Sequence, residues 1–152
     1  MPFIDKFIDK SMHQEKIYGI GIDIVEVERI QEASRRWGTR FEHRIYTHQE
    51  LTYCGDAPSR YWRLAARFAA KEATLKALGT GLTTGMRWQD VEIQTDVSGK
   101  PEIVLYGEVR RCADERNISS VFVSMSHTNV YAIAQVTLCT LHADPQFPPD
   151  FT

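Results

Sequence analysis

The stretch IYGIGIDIVEVERIQEASRRW, residues 17–37, changes its period halfway along. From Ile17 to Val25 the side chains alternate: Ile20, Ile22 and Ile24 take one side, and Gly19, Gly21 and Asp23 the other, the two-residue period of a strand. From Val25 the spacing turns helical, with Val27, Ile30, Ser34 and Trp37 on one stripe. Two glycines beside a carboxylate leave a strand face that another backbone or a ligand can approach closely. Asp23 therefore has two readings, a cap for the following helix or a group facing a ligand.

Working outward, the remaining signals complete an α+β pattern. Thr47 and Glu50 of THQEL (47–51) form a capping box that opens a short helix. Ser59 is placed to cap a long helix over about residues 60–78, which Gly79 ends. VEIQT (91–95), the turn SGKP (98–101) and EIVLY (102–106) read as a hairpin. GEVRRCADERN (107–117) reads as a short helix, and SVFVSMSH (120–127) with VYAIAQVTL (130–138) as a second hairpin across Thr128 and Asn129. A strand and helices followed by hairpin, helix and hairpin is α+β, an antiparallel sheet with one long helix, and not a βαβ repeat.

The chain has 152 residues, 43% hydrophobic and 25% charged, which suits one soluble domain with its own core. A net charge of −2 supplies no overall drive toward nucleic acid or membrane, so steering must be local. No apolar run reaches the ~20 residues of a membrane span, and the first residues lack the pattern of a secretory signal. Cys54, Cys112 and Cys139 are an odd number without metal-like spacing, as expected of reduced thiols in the cytoplasm. The ends are set apart from residues 17–138. An N-terminal extension (1–16) repeats one tetrapeptide in FIDKFIDK (3–10), placing Phe3, Ile4, Phe7 and Ile8 on one side of a short helix. A C-terminal tail (139–152) carries Pro145, Pro148 and Pro149 and continues no regular element.

The long helix holds the chemistry. In FAAKEATLKALGTG (68–81), Glu72 and Lys76 stand one turn apart on a helix otherwise suited to burial. They form a favourable i,i+4 surface pair, worth ~0.3–0.5 kcal/mol, or they serve a site at the edge of the core. Two carboxylates from different elements, Asp23 and Glu72, suit a hard divalent ion such as Mg²⁺ that also holds phosphate oxygens. Lys76 would then supply a point charge and Arg67 a forked donor. Gly79 and Gly81 of GTG offer backbone amides to a phosphate, or simply stop the helix. His127 at the end of SMSH is either solvated or a donor to a ligand.

Five blocks, GIGIDIVEVERI, FEHRIYTHQEL, RFAAKEATLKALGTG, WQDVEIQTDVSGKPEI and VSMSHTNVYAIAQV, occur in this order. On these blocks, over about residues 17–138, the chain resembles the holo-acyl-carrier-protein synthases, the compact class of 4′-phosphopantetheinyl transferases. The resemblance implies transfer of the phosphopantetheine arm of coenzyme A to a serine of an apo acyl carrier protein, releasing adenosine 3′,5′-bisphosphate. It implies Asp23 and Glu72 as Mg²⁺ ligands and Lys76 at the reacting phosphate. Arg67, His127 and the GKP residues Gly99, Lys100 and Pro101 are implied to line the coenzyme A pocket. It also implies a homotrimer with active sites between subunits, and a basic face for an acidic carrier. Arg29 and Arg36 fall within ~20° of each other on a helical repeat, and Arg40 joins them only if the helix runs through Gly38. In the larger transferases a third acid follows two residues after the first ligand. Here that position is Val25, so a water is expected to complete the coordination. Two rival readings stay open: a metal-dependent diphosphate-cleaving enzyme that needs no carrier, and a binding module that does not turn over.

Overall fold

A computed structural model of the chain describes residues 14–142. The expected short helix on FIDKFIDK (3–10) and the prolines of the tail lie outside those residues. The expected bounds 17 and 138 are corrected: the first strand already begins at Gln14 and the last runs on to His142, the two pairing to their ends. β1 (Gln14–Glu26) runs straight into α1 (Val27–Trp37), and α2 (Thr39–Ile45), α3 (His48–Cys54) and α4 (Arg60–Leu78) follow. A 3₁₀ turn (Trp88–Asp90) leads to β2 (Val91–Thr95), β3 (Pro101–Leu105), α5 (Gly107–Glu115), β4 (Ile118–His127) and β5 (Tyr131–His142). This is the α+β order expected from the sequence, with α2 as an element the sequence reading does not contain.

β5 lies between β1 and β4 and is antiparallel to both, whereas β2 and β3 form a separate ladder. α4 packs along the inner face of the larger sheet. Its Ala65, Ala69 and Ala73 meet a strand face of Ala132, Ala134, Val136 and Leu138, all fully buried. Small side chains on both layers bring the backbones close. A Cβ at Gly21 would stand 1.8 Å from the Ala73 carbonyl oxygen, and one at Gly19 2.1 Å from that of Ala77. The glycine face of β1 is therefore the buried one, and Ile20, Ile22 and Ile24 point outward, each more than half exposed.

That close approach has a testable consequence. Because the clash at Gly21 is with backbone and not with a yielding side chain, Gly21→Ala must push α4 off β1. A loss of about 3 kcal/mol is expected, at the upper end for an overpacked core. Chemical denaturation measures it, and an unchanged midpoint would contradict the packing described.

Local expectations need four corrections. Ser59 sits at the start of α4 but its backbone is already helical (φ −73°, ψ −5°), so its hydroxyl makes no capping bond. Trp37 falls on the stripe of Val27, Ile30 and Ser34 but is 54% exposed and not buried with them, because α1 ends there at Gly38 (φ 55°). For the same reason Arg40 belongs to α2, and the condition for its joining Arg29 and Arg36 on one helix fails. The β4–β5 connection uses three residues, with the Thr128 hydroxyl accepting from the Val130 and Tyr131 amides. The Thr47–Glu50 capping box and the left-handed Gly79 stop (φ 79°) stand as expected.

Candidate active site

β1 and α4 run in opposite directions, so the end of the strand meets the middle of the helix. There the side chains of Asp23 and Glu72 face one cleft of about 360 Å³ between α1, α2 and α4. Arg29 is its third charged group, and Ile30, Ala33, Phe41 and Phe68 form its apolar wall. The Lys76 ammonium donates to Asp23 Oδ1 at 2.8 Å and to the Ile22 carbonyl at 3.1 Å. Lys76 thus bridges to the strand, and the expected i,i+4 pair with Glu72 is not among the described ion pairs. The strand carboxylate, brought close by the glycine contact, takes the cation that helical spacing alone would give to Glu72. Asp23 makes no cap for α1, whose N-cap position is Glu26.

The electrostatics fit a cation between the two acids. Partial burial pushes the Glu72 carboxyl up, the Asp23 charge pushes it further, and Lys76 offsets part of this. The hydrogen bond to Asp23 raises Lys76 in turn. Two repelling carboxylates with one half-exposed ammonium are a poor self-contained arrangement and a good half-shell for a hard divalent ion. Such an ion takes one or two carboxylates and fills its remaining positions with water and phosphate oxygens. Among the described residues no group of three or more Asp, Glu, His or Cys side chains is gathered for a metal.

The other expected site residues stand apart from this cleft. Arg67 is buried, only 2% exposed, with its guanidinium 4.3 Å from the centre of the Tyr53 ring and Nη2 donating to Thr95 Oγ1 at 2.9 Å. Thr95 pairs with Pro101 across the β2–β3 ladder, and the Lys100 amide donates to Asp96 in the turn. Arg67, Lys100 and Pro101 therefore gather at one hairpin end. His127 closes β4 with its ring stacked on Trp62, centroids 5.6 Å apart and 25° from parallel. The Gly79 and Gly81 amides both point back to the Leu75 carbonyl. The expectation that they lie free for a phosphate is thus corrected: they close the helix.

Sequence reasoning missed the largest buried polar feature. Lys71, the neighbour of Glu72, is wholly buried and pairs at 2.9 Å with the equally buried Glu50. Glu50 also accepts from the Thr47 and Ile93 amides, while Lys71 donates to the Trp88 and Val91 carbonyls. The pair clamps α3, α4 and β2 together. Burial pulls Lys71 down and Glu50 opposes that shift. The capping box already explained Glu50 locally, so no sequence signal marked its second role.

Comparison with known proteins places the chain in a family. A family model described as the 4′-phosphopantetheinyl transferase superfamily matches residues 19–136. The holo-[acyl-carrier-protein] synthase of Koribacter versatilis (strain Ellin345) is 45% identical over 122 residues, covering 80% of this chain and 98% of the relative. The crystal structure of holo-[acyl-carrier-protein] synthase from Neisseria meningitidis has a TM-score of 0.74 at 38% identity, over 81% of this chain and 98% of that one. The Helicobacter pylori synthase, solved in complex with coenzyme A, has a TM-score of 0.70 at 34% identity, over 78% and 98% of the two chains.

Proposed function

The chain belongs to the 4′-phosphopantetheinyl transferase superfamily, and within it to the holo-[acyl-carrier-protein] synthases; from that premise we propose the following reaction and roles. The 4′-phosphopantetheine group of coenzyme A is transferred to a serine hydroxyl of an apo acyl carrier protein, and adenosine 3′,5′-bisphosphate leaves. The observation that carries this reading is the Asp23–Glu72 pair facing one cleft with Lys76 held at Asp23.

Asp23 and Glu72 hold a divalent ion, Mg²⁺ by the preference of an all-oxygen donor set for a hard cation. When bound, that ion neutralises charge on the non-bridging and leaving oxygens of the diphosphate. Lys76, tethered to Asp23, adds a second positive charge at the cleft for the reacting phosphate. Glu72, whose carboxyl burial and Asp23 hold above its usual range, also serves as acceptor of the serine proton, directly or through a water. Ile30, Ala33, Phe41 and Phe68 give the cleft an apolar wall that limits water beside the reacting groups.

Coenzyme A extends from the cleft toward the hairpin end, where Arg67, Lys100 and Pro101 lie, with His127 on a further side; Gly79 and Gly81 shape the helix end near Lys76. Arg29, which lines the cleft, Arg36 and the neighbouring Arg40 receive the acidic carrier. The outward isoleucine face of β1, continued by Phe122 and Ile133, supports association into a homotrimer. No helix among the described residues is long and apolar enough to cross a membrane. Together with three free cysteines, this agrees with a cytoplasmic place of action.

The test is product analysis of coenzyme A with and without apo carrier. Adenosine 3′,5′-bisphosphate should form only when carrier and a divalent metal are both present. Cleavage of coenzyme A without carrier would favour the diphosphate-cleaving alternative.

A further inference from the structure

α1, which supplies one wall of the cleft, presents a large aromatic ring to solvent at its last residue. Trp37 is 54% exposed, and the Arg36 guanidinium lies 5.0 Å from the centre of its ring. Ala33, one turn earlier on the same side of the helix, lines the cleft, as does Ile30 one turn before that. Ile30 and Trp37 are seven residues apart, so they share a face within about 20°. From Ala33 to Trp37 the helix advances only about 6 Å. The apolar cleft wall thus continues along α1 and ends, uncovered, at this indole.

The charge around it is one-sided. Arg29, Arg35, Arg36, Arg40 and Arg44 are all exposed on α1 and α2. Against them stand the exposed Glu28 and Glu32, while Glu42 is engaged by Arg60 at 2.6 Å. An exposed tryptophan with Arg36 against its ring, on two helices with this excess of arginine, has the composition of an interface anchor, in which an aromatic group supplies affinity and the charges supply steering. A packed core has no use for such an indole at the open end of a helix.

We propose that Trp37 is an apolar anchor for the acidic protein that carries the acceptor serine, with Arg36 held against it as its charged partner. This rests on the reading of the function given above. The anchor inserts between apolar side chains of that acidic surface, while the surrounding arginines meet its carboxylates. Trp37 holds the carrier on α1 and supplies affinity alone, equally in the ground state and the transition state. It touches no reacting atom.

The experiment compares the full-length protein with its Trp37→Ala, Trp37→Phe and Arg36→Ala variants. The probes are apo acyl carrier protein for steady-state kinetics, and a carrier whose acceptor serine is alanine for direct binding. Trp37→Ala should raise both the KM and the Kd for carrier about tenfold, as for truncation of an aromatic hot spot. It should leave kcat, the KM for coenzyme A and the slope of affinity against salt unchanged. Trp37→Phe should keep most of the affinity, whereas Arg36→Ala should flatten the salt slope. Carrier constants within twofold of the parent for Trp37→Ala would overturn the assignment. So would an altered oligomeric state with unchanged carrier affinity, which would make Trp37 a contact between copies. A parent protein that neither binds nor modifies the carrier would sink this assignment and the proposed function together. A parent that does both, beside an unaffected Trp37→Ala, would sink this assignment alone.

Discussion

Glu72→Gln should lower the rate of phosphopantetheine transfer by about three orders of magnitude, the loss typical of removing one charge-stabilising group from a pre-organised site. That factor corresponds to about 4 kcal/mol of transition-state stabilisation. The substitution keeps the volume of the side chain and removes only its charge, so the cleft beside Asp23 keeps its shape. It should not cost stability. Burial and the Asp23 charge disfavour the ionised carboxylate in the folded protein, so its stability contribution at neutral pH is unfavourable and is relieved by the amide. A protein as stable as its parent, or slightly more so, with weakened metal dependence and a collapsed turnover is the expected combination. The measurements are initial rates across a Mg²⁺ titration and a melting curve for each protein. Turnover within tenfold of the parent at ordinary metal concentrations would remove Glu72 from the metal site.

Lys71→Met, one residue away, has the opposite signature. It leaves the Glu50 carboxylate fully buried without its cation and the Trp88 and Val91 carbonyls without their donor. Breaking a buried pair in this way costs about 3–5 kcal/mol, a large share of the stability of a domain this size. Glu50→Gln combined with Lys71→Met removes both charges, and an amide can still accept from the Thr47 or Ile93 N–H. The double variant should therefore recover most of the loss. Denaturant midpoints for the two single variants and the double variant form the required cycle. Additive losses would show that Glu50 and Lys71 do not act as one clamp. If both results are obtained, the neighbouring positions 71 and 72 separate stability from catalysis on a single helical turn.

That contrast shows how far the residues speak for themselves. The change of period at Val25, the Gly79 stop and the Thr47–Glu50 box are local signals, and local geometry honours them. Which face of β1 lies inside is not local. Apolar periodicity would bury the isoleucines, yet the helix needs close backbone approach and selects Gly19 and Gly21. That one choice carries Asp23 to the helix, where it takes Lys76 from the i,i+4 pairing. Asp23 and Glu72 were legible as a pair because two acids at the edge of a core demand compensation. The Glu50–Lys71 clamp was not legible, since a capping glutamate and a helical lysine each have an ordinary local explanation. Trp37 misled the periodicity because the helix ends at that residue, so helical spacing alone does not bury it. His127 and Arg67 were legible only as candidate ligand-facing residues, and their stacking on Trp62 and Tyr53 depends on contacts made across the fold.

The most direct measurement is the intact mass of an apo acyl carrier protein after incubation with this protein, coenzyme A and Mg²⁺. The predicted result is a gain of one phosphopantetheine per carrier, abolished by chelation, restored by added Mg²⁺ and nearly absent with Glu72→Gln. A carrier that keeps its apo mass under those conditions, or gains the group equally in the presence of a chelator, would contradict a metal-dependent transferase built on Asp23 and Glu72.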